Sequence, residues 1–84
     1  MSDLDLFEHE LNTNKIWEGS GTVLEIVSRG TSLYRVVFFS EHEGSLDFVQ
    51  VAMYRDIEKL KKLVRRLGVR PRGDHGIVLK EVSP

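Results

Sequence analysis

Apolar residues recur along the chain at two periods, and the change of period marks the elements. Between Asp3 and Asn14, Leu4, Phe7 and Leu11 stand three and four apart with acids between them. That spacing predicts a short N-terminal helix or docked arm within residues 1–16. Asn12-Thr13-Asn14 and Glu18-Gly19-Ser20-Gly21 then supply turn chemistry, with Trp17 as a lead-in to a strand over Thr22–Ser28, which is rich in β-branched residues. Arg29-Gly30-Thr31-Ser32 reads as a hairpin turn and Leu33–Ser40 as the strongest strand of the chain. Glu41–Ser45 is a polar loop of hairpin length that leads into a third strand, Leu46–Met53.

After Met53 the period lengthens. Ile57, Leu60, Leu63, Val64 and Leu67 form one stripe at helical spacing, and Glu58, Lys59, Lys61, Lys62, Arg65 and Arg66 fill the positions between. Asp56 suits the N-cap. Gly68 suits the left-handed C′ position, with Val69 beyond it for the hydrophobic contact of a Schellman ending. The basic last turn complements the helix dipole. Arg70 to Gly76 reads as a loop and Ile77–Val82 as a short fourth strand. The expected class is α+β: a three-stranded antiparallel meander over 22–53, an amphipathic helix over 56–67 and a strand over 77–82. Strand, strand, strand, helix is an order also found in small modules that bind DNA or double-stranded RNA, an analogy of architecture that does not by itself give function.

Period-two reading assigns Leu24, Ile26, Tyr34, Val36, Phe38, Val49, Val51 and Met53 to the sheet face that meets the helix stripe. The opposite face then holds Val23, Glu25, Val27, Leu33, Arg35, Val37, Phe39, Leu46, Phe48, Gln50 and Ala52. It is too apolar for open water, because a one-sided antiparallel sheet normally alternates cleanly. Its expected cover is the Leu4-Phe7-Leu11 segment, a second copy of the protein, or a ligand surface such as unstacked bases.

At 84 residues the chain is expected to form one domain. Folding at this size buries only about 60–65% of the surface the unfolded chain exposes, so association with a second copy, a homodimer, is a natural supplement. A hydrophobic share of 40% and a charged share of 30% suit a chain that folds. The absence of cysteine excludes disulfides, thiolate nucleophiles and Cys-based zinc sites. The acidic Met1–Leu6 start does not read as a signal peptide and no stretch approaches the ~20 apolar residues of a membrane span, so a cytoplasmic protein without membrane contact is expected.

Charge is segregated. Residues 1–54 carry three cations against nine acids, −6, whereas residues 55–84 carry nine cations against four acids, +5. Lys59, Lys62 and Arg66 share a helical face with Arg65 beside them, and Arg70 and Arg72 extend the cationic surface beyond the helix. Such a ridge binds phosphates by releasing their condensed counterions, although charged residues also fill any solvated helix face. Arg35 with Phe39 and Phe48 on the sheet is compatible with phosphate contact plus base stacking.

Other motifs carry less. Glu8-His9-Glu10, Glu41-His42-Glu43 and Asp74-His75 contain metal-ligand residue types, but adjacent side chains diverge and each tripeptide supplies part of a site at most. Gly19-Ser20-Gly21 precedes a strand, whereas phosphate-cradling loops precede a helix. Arg72-Gly73-Asp74 matches an adhesive tripeptide without any sign of export. No nucleophile–base pair can be assembled, and no metal or cofactor is expected. The sequence therefore points to a non-enzymatic nucleic-acid-binding module, with DNA or RNA as partner. The alternative is a protein-interaction module or small regulator that dimerises through its sheet and binds a protein partner.

Overall fold

The computed structural model describes residues 2–73. Helix α1 (Asp3–Thr13) is followed by β1 (Ile16–Gly19), β2 (Thr22–Ser28), β3 (Tyr34–His42), β4 (Ser45–Tyr54), α2 (Ile57–Leu67) and β5 (Arg70–Gly73). The strands form one antiparallel sheet in the order β4-β3-β2-β1-β5. The class is α+β, as expected, but the sheet has five strands and there are two helices among the described residues. The strand expected over 77–82 lies outside those residues.

Helix α1 starts on a reciprocal cap: the Ser2 hydroxyl accepts from the Asp5 N–H at 3.2 Å and the Asp5 carboxylate accepts from the Ser2 N–H at 3.3 Å. Its apolar stripe buries Phe7 and Leu11. Helix α2 ends in a Schellman motif. Gly68, at φ 69°, donates to the Arg65 carbonyl, Val69 donates to the Val64 carbonyl at 3.3 Å, and the Val64 and Val69 side chains are both buried.

Strands β1 and β5 correct the expected turn and loop. Arg70-Pro71-Arg72-Gly73 carries two turn-forming residues, yet β5 is a sheet edge, the place in a sheet where proline is tolerated. Pro71 lies opposite Trp17 there, and Trp17 in turn pairs with Leu24. The expected five-residue loop after β3 is also shorter. Only Glu43 and Gly44 separate His42 from Ser45, with φ of 50° and 85°, as a type I′ hairpin requires.

That tight turn pairs Glu41 with Leu46, Ser40 with Asp47 and Phe39 with Phe48. Continued without interruption, the same register sets Val49, Val51 and Met53 opposite Phe38, Val36 and Tyr34, the arrangement expected from the pattern. Instead a bulge intervenes at Val49: Phe38 pairs with Gln50, Val36 with Ala52 and Tyr34 with Tyr54. One extra residue turns every later side chain over. Gln50 and Ala52 therefore share the helix-facing side, and Val51 and Met53 pair with Val37 and Arg35 on the other.

The main core lies between the helices and one sheet face. It joins Phe7 and Leu11 of α1, Leu60, Leu63 and Val64 of α2, and Trp17, Leu24, Ile26, Tyr34, Val36 and Val69. Both helices thus occupy the same side, so the N-terminal segment does not cover the second face. Burial pushes the Tyr34 phenol above its ordinary pKa, and the Glu8 carboxylate of α1 adds to the rise. On the second face Ile16, Val23 and Leu46 form a smaller buried cluster with Phe39 against it.

Candidate functional site

Four surfaces bear on function. The first is the outer side of α2. Burial of Leu60, Leu63 and Val64, with Ile57 and Leu67 half-buried beside them, fixes the helix rotation and leaves Lys59, Lys62, Arg65 and Arg66 exposed. Arg70 is exposed on β5. Among the described residues the one side-chain ion pair is Arg72 with Glu18, 3.1 Å apart, joining β5 to β1. Lys59, Lys62, Arg65, Arg66 and Arg70 therefore have no described carboxylate within bonding reach, whereas Arg72 is engaged.

The second surface is an open groove of about 410 Å³ between α1, the C-terminal half of α2 and the β1–β5 edge. Leu6, Phe7, Trp17, Val64, Val69 and Pro71 contribute its apolar lining. Asp3 and Glu10 border it from α1, while Lys61, Arg65 and Arg70 border it from α2 and β5. Its polar residues are thus divided by sign. A polyanion laid along Arg65 and Arg70 therefore faces the α1 acids across the groove. This neighbour was not visible in sequence, because nothing in the spacing of Asp3 and Glu10 shows which side of the sheet α1 takes.

The third surface is the second sheet face, which holds Arg35, Phe39 and Phe48. Arg35 pairs with Val27 and Met53, and Phe39 with Val23 and Phe48. The two phenylalanine rings meet edge to face at 6.4 Å, and Phe39 packs on the Ile16–Val23–Leu46 cluster. The structure therefore divides the nine candidate residues between two sides. Lys59, Lys62, Arg65 and Arg66 lie on the helix side, Arg70 and Arg72 on the β5 edge, and Arg35, Phe39 and Phe48 on the face turned away from the helices.

The fourth surface is the edge strand β4. Phe48 is 62% exposed, Val49 56%, Val51 45% and Met53 51%. Leu6 is the one other large apolar side chain so exposed among the described residues. An edge strand also presents a row of unpaired N–H and C=O groups, and proteins usually blunt such edges with lysine, proline or short length. β4 runs for ten residues with no lysine or proline, and Asp47 is its only charge. Removing the exposed part of these side chains from water contributes on the order of 1 kcal/mol each. The period-two pattern assigned Val49, Val51 and Met53 to the core; the bulge that exposes them leaves no composition signal.

Among the described residues no three metal-ligand side chains converge. His42 lies 3.1 Å from the Ser40 hydroxyl in an exposed pair. No helix of the described residues is long and apolar enough to cross a membrane. Comparison with protein-family models, with curated proteins and with solved structures finds no match to the chain.

Proposed function

We propose that the chain is a non-enzymatic protein-interaction module that associates through the open edge of β4. The observation that carries this reading is the concentration of exposed apolar side chains, Phe48, Val49, Val51 and Met53, along one unpaired edge. Addition of a strand to such an edge takes affinity from main-chain hydrogen bonds and specificity from alternate side chains. A local rule is broken here, with two valines and a methionine exposed in a strand whose alternation would bury them, and such breaks concentrate at functional sites.

The test is a contrast between two variants. Val51→Lys places a charge on the edge without entering the core, and is expected to reduce any assembly larger than the 9.6 kDa chain to the monomer. The triple variant Lys62→Glu, Arg65→Glu, Arg66→Glu is expected to leave that assembly intact. The opposite pattern contradicts the proposal.

A second reading, nucleic-acid binding along α2, is favoured by one observation: Lys59, Lys62, Arg65, Arg66 and Arg70 are exposed without a described acid partner. It predicts fluorescence-anisotropy binding to short DNA or RNA that falls steeply between 50 and 200 mM salt, by about 10³-fold or more if six or more phosphates are contacted. The triple charge reversal is expected to abolish it. Equal binding by the parent chain and the variant at low salt sinks this reading.

A further inference from the structure

We infer that the second sheet face is covered by this chain's own residues 77–82, which follow β5 and cross the face over Ile16, Val23 and Val37. Both helices and the main core lie on the other side of the sheet. Among the described residues no element lies on the second side, yet part of that face is buried.

Two rows of paired residues cross that face. Gly73, Ile16, Glu25, Val37 and Val51 stand opposite one another from β5 to β4, and residues directly opposite in an antiparallel sheet share a face. Ile16 is 1% exposed and Val37 6%, whereas Val51 is 45% exposed. In the next row, Glu18, Val23, Phe39 and Phe48, Val23 is fully buried and Phe48 is open. Both rows are therefore closed on the β1–β2 side and open at β4. Neighbours within the sheet do not close the first row. Gly73 has no side chain to lean over Ile16, and Val37 is buried although it belongs to neither apolar cluster of the described residues. These exposures are those of one chain by itself, so the cover is intramolecular.

The residues that follow Gly73 have the position, the reach and the composition for this role. β5 ends at Gly73, opposite Ile16, at the border of the buried patch. Asp74-His75-Gly76 spans at most about 10 Å, enough to turn off the edge, and residues 77–82 then extend for up to about 20 Å. The distance from β1 across β2 to β3 is about 10 Å at 4.8 Å per strand. Four of the six residues from 77 to 82, Ile77, Val78, Leu79 and Val82, are apolar, and the β-branched ones suit an extended crossing. Met1, the other residue outside the description, adjoins the cap of α1 on the helix side.

Covered in this way, the face that carries Arg35 and Phe39 is closed to unstacked bases, and phosphate contact is left to the α2 ridge. Only the β4 border of the face, with Phe48, Val51 and Met53, stays open to a partner. Val51 lies beyond the covered part of its row, so loss of this cover and loss of the β4 edge are separable.

Methyl NOE spectroscopy of the full chain reads the contact directly. Cross-peaks are expected from Ile77, Val78, Leu79 or Val82 to Ile16, Val23 or Val37, and in a mixture of isotope-labelled and unlabelled copies they are expected within one copy. Contacts from these residues to Leu60 or Leu63 on the helix side, contacts only between copies, or no contact outside 77–82 each overturn the inference. A chemical readout uses the absence of cysteine. Val37→Cys and Val36→Cys place a thiol at buried positions on opposite faces of β3, and both are expected to react slowly with a thiol reagent. Adding Ile77→Asp and Leu79→Asp is expected to speed labelling of Val37→Cys by about tenfold or more and to leave that of Val36→Cys within about twofold, because local opening frees one face without unfolding the other. Unchanged labelling of Val37→Cys, or equal acceleration of both, overturns the assignment.

Discussion

Trp17→Ala is expected to lower the melting temperature by at least about 12 °C, read by circular dichroism because the variant has no tryptophan left to fluoresce. Trp17 is 2% exposed and stands where α1, β1, β5 and the end of α2 converge. Its ring meets Phe7 edge to face at 5.8 Å, and its indole N–H donates to the Asn14 carbonyl at 3.3 Å. Truncating a buried tryptophan costs about 3–5 kcal/mol. A chain of this length has roughly 4–13 kcal/mol in total, at 0.05–0.15 kcal/mol per residue. Each kcal/mol moves the midpoint of a small domain by about 4–8 °C. Trp17→Phe keeps most of the apolar volume and is expected to recover more than half of the loss. A shift below about 5 °C for the alanine variant contradicts the packing described for α1 and β5.

Gly19→Ala is the second large effect. A Cβ at Gly19 falls 2.4 Å from the carbonyl oxygen of Gly68, closer than real Cβ contacts come, and the obstructing group is backbone. Neither side yields easily. Gly19 is held opposite Thr22 at the end of the β1–β2 hairpin, and Gly68 is fixed by the Schellman hydrogen bonds that close α2. Overpacking of this kind costs about 1–3 kcal/mol, occasionally more. Chemical denaturation is expected to show that loss with an unchanged m-value. Glu18→Ala, one residue earlier, removes only the exposed pair with Arg72 and is expected to cost less than about 1 kcal/mol. Equal effects at positions 18 and 19 contradict the close approach of β1 to the end of α2.

The unequal legibility of the elements has a common physical origin. Helix α2 was readable to within a residue because its stripe, its Asp56 cap and its Gly68 stop are local signals that agree. Leu4, Phe7 and Leu11 likewise announced α1, but not the side of the sheet on which it packs, which is a tertiary choice. β1 is four residues long, too short for a period to show, and β5 is written in residues that read as a turn until an edge position is supplied for them. The faces of β4 were misread for a different reason. Alternation fixes faces only while the register holds, and one inserted residue at Val49 reverses everything from Gln50 to Tyr54.

The same division applies to the candidate residues. Exposure of Lys59, Lys62, Arg65 and Arg66 followed from helical periodicity alone. Their separation from Arg35, Phe39 and Phe48 followed from the period-two reading of the strands, which sets those three on the face opposite the helix stripe. The α1 acids across the groove and the apolar edge of β4 are instead properties of the assembled fold.

The most direct test of the β4 edge as the association surface is amide hydrogen exchange of the parent chain at low and high protein concentration. The account predicts slowing confined to Ser45–Tyr54 as concentration rises. Unchanged exchange in that strand, or protection that appears instead on residues 59–66 of α2, contradicts it.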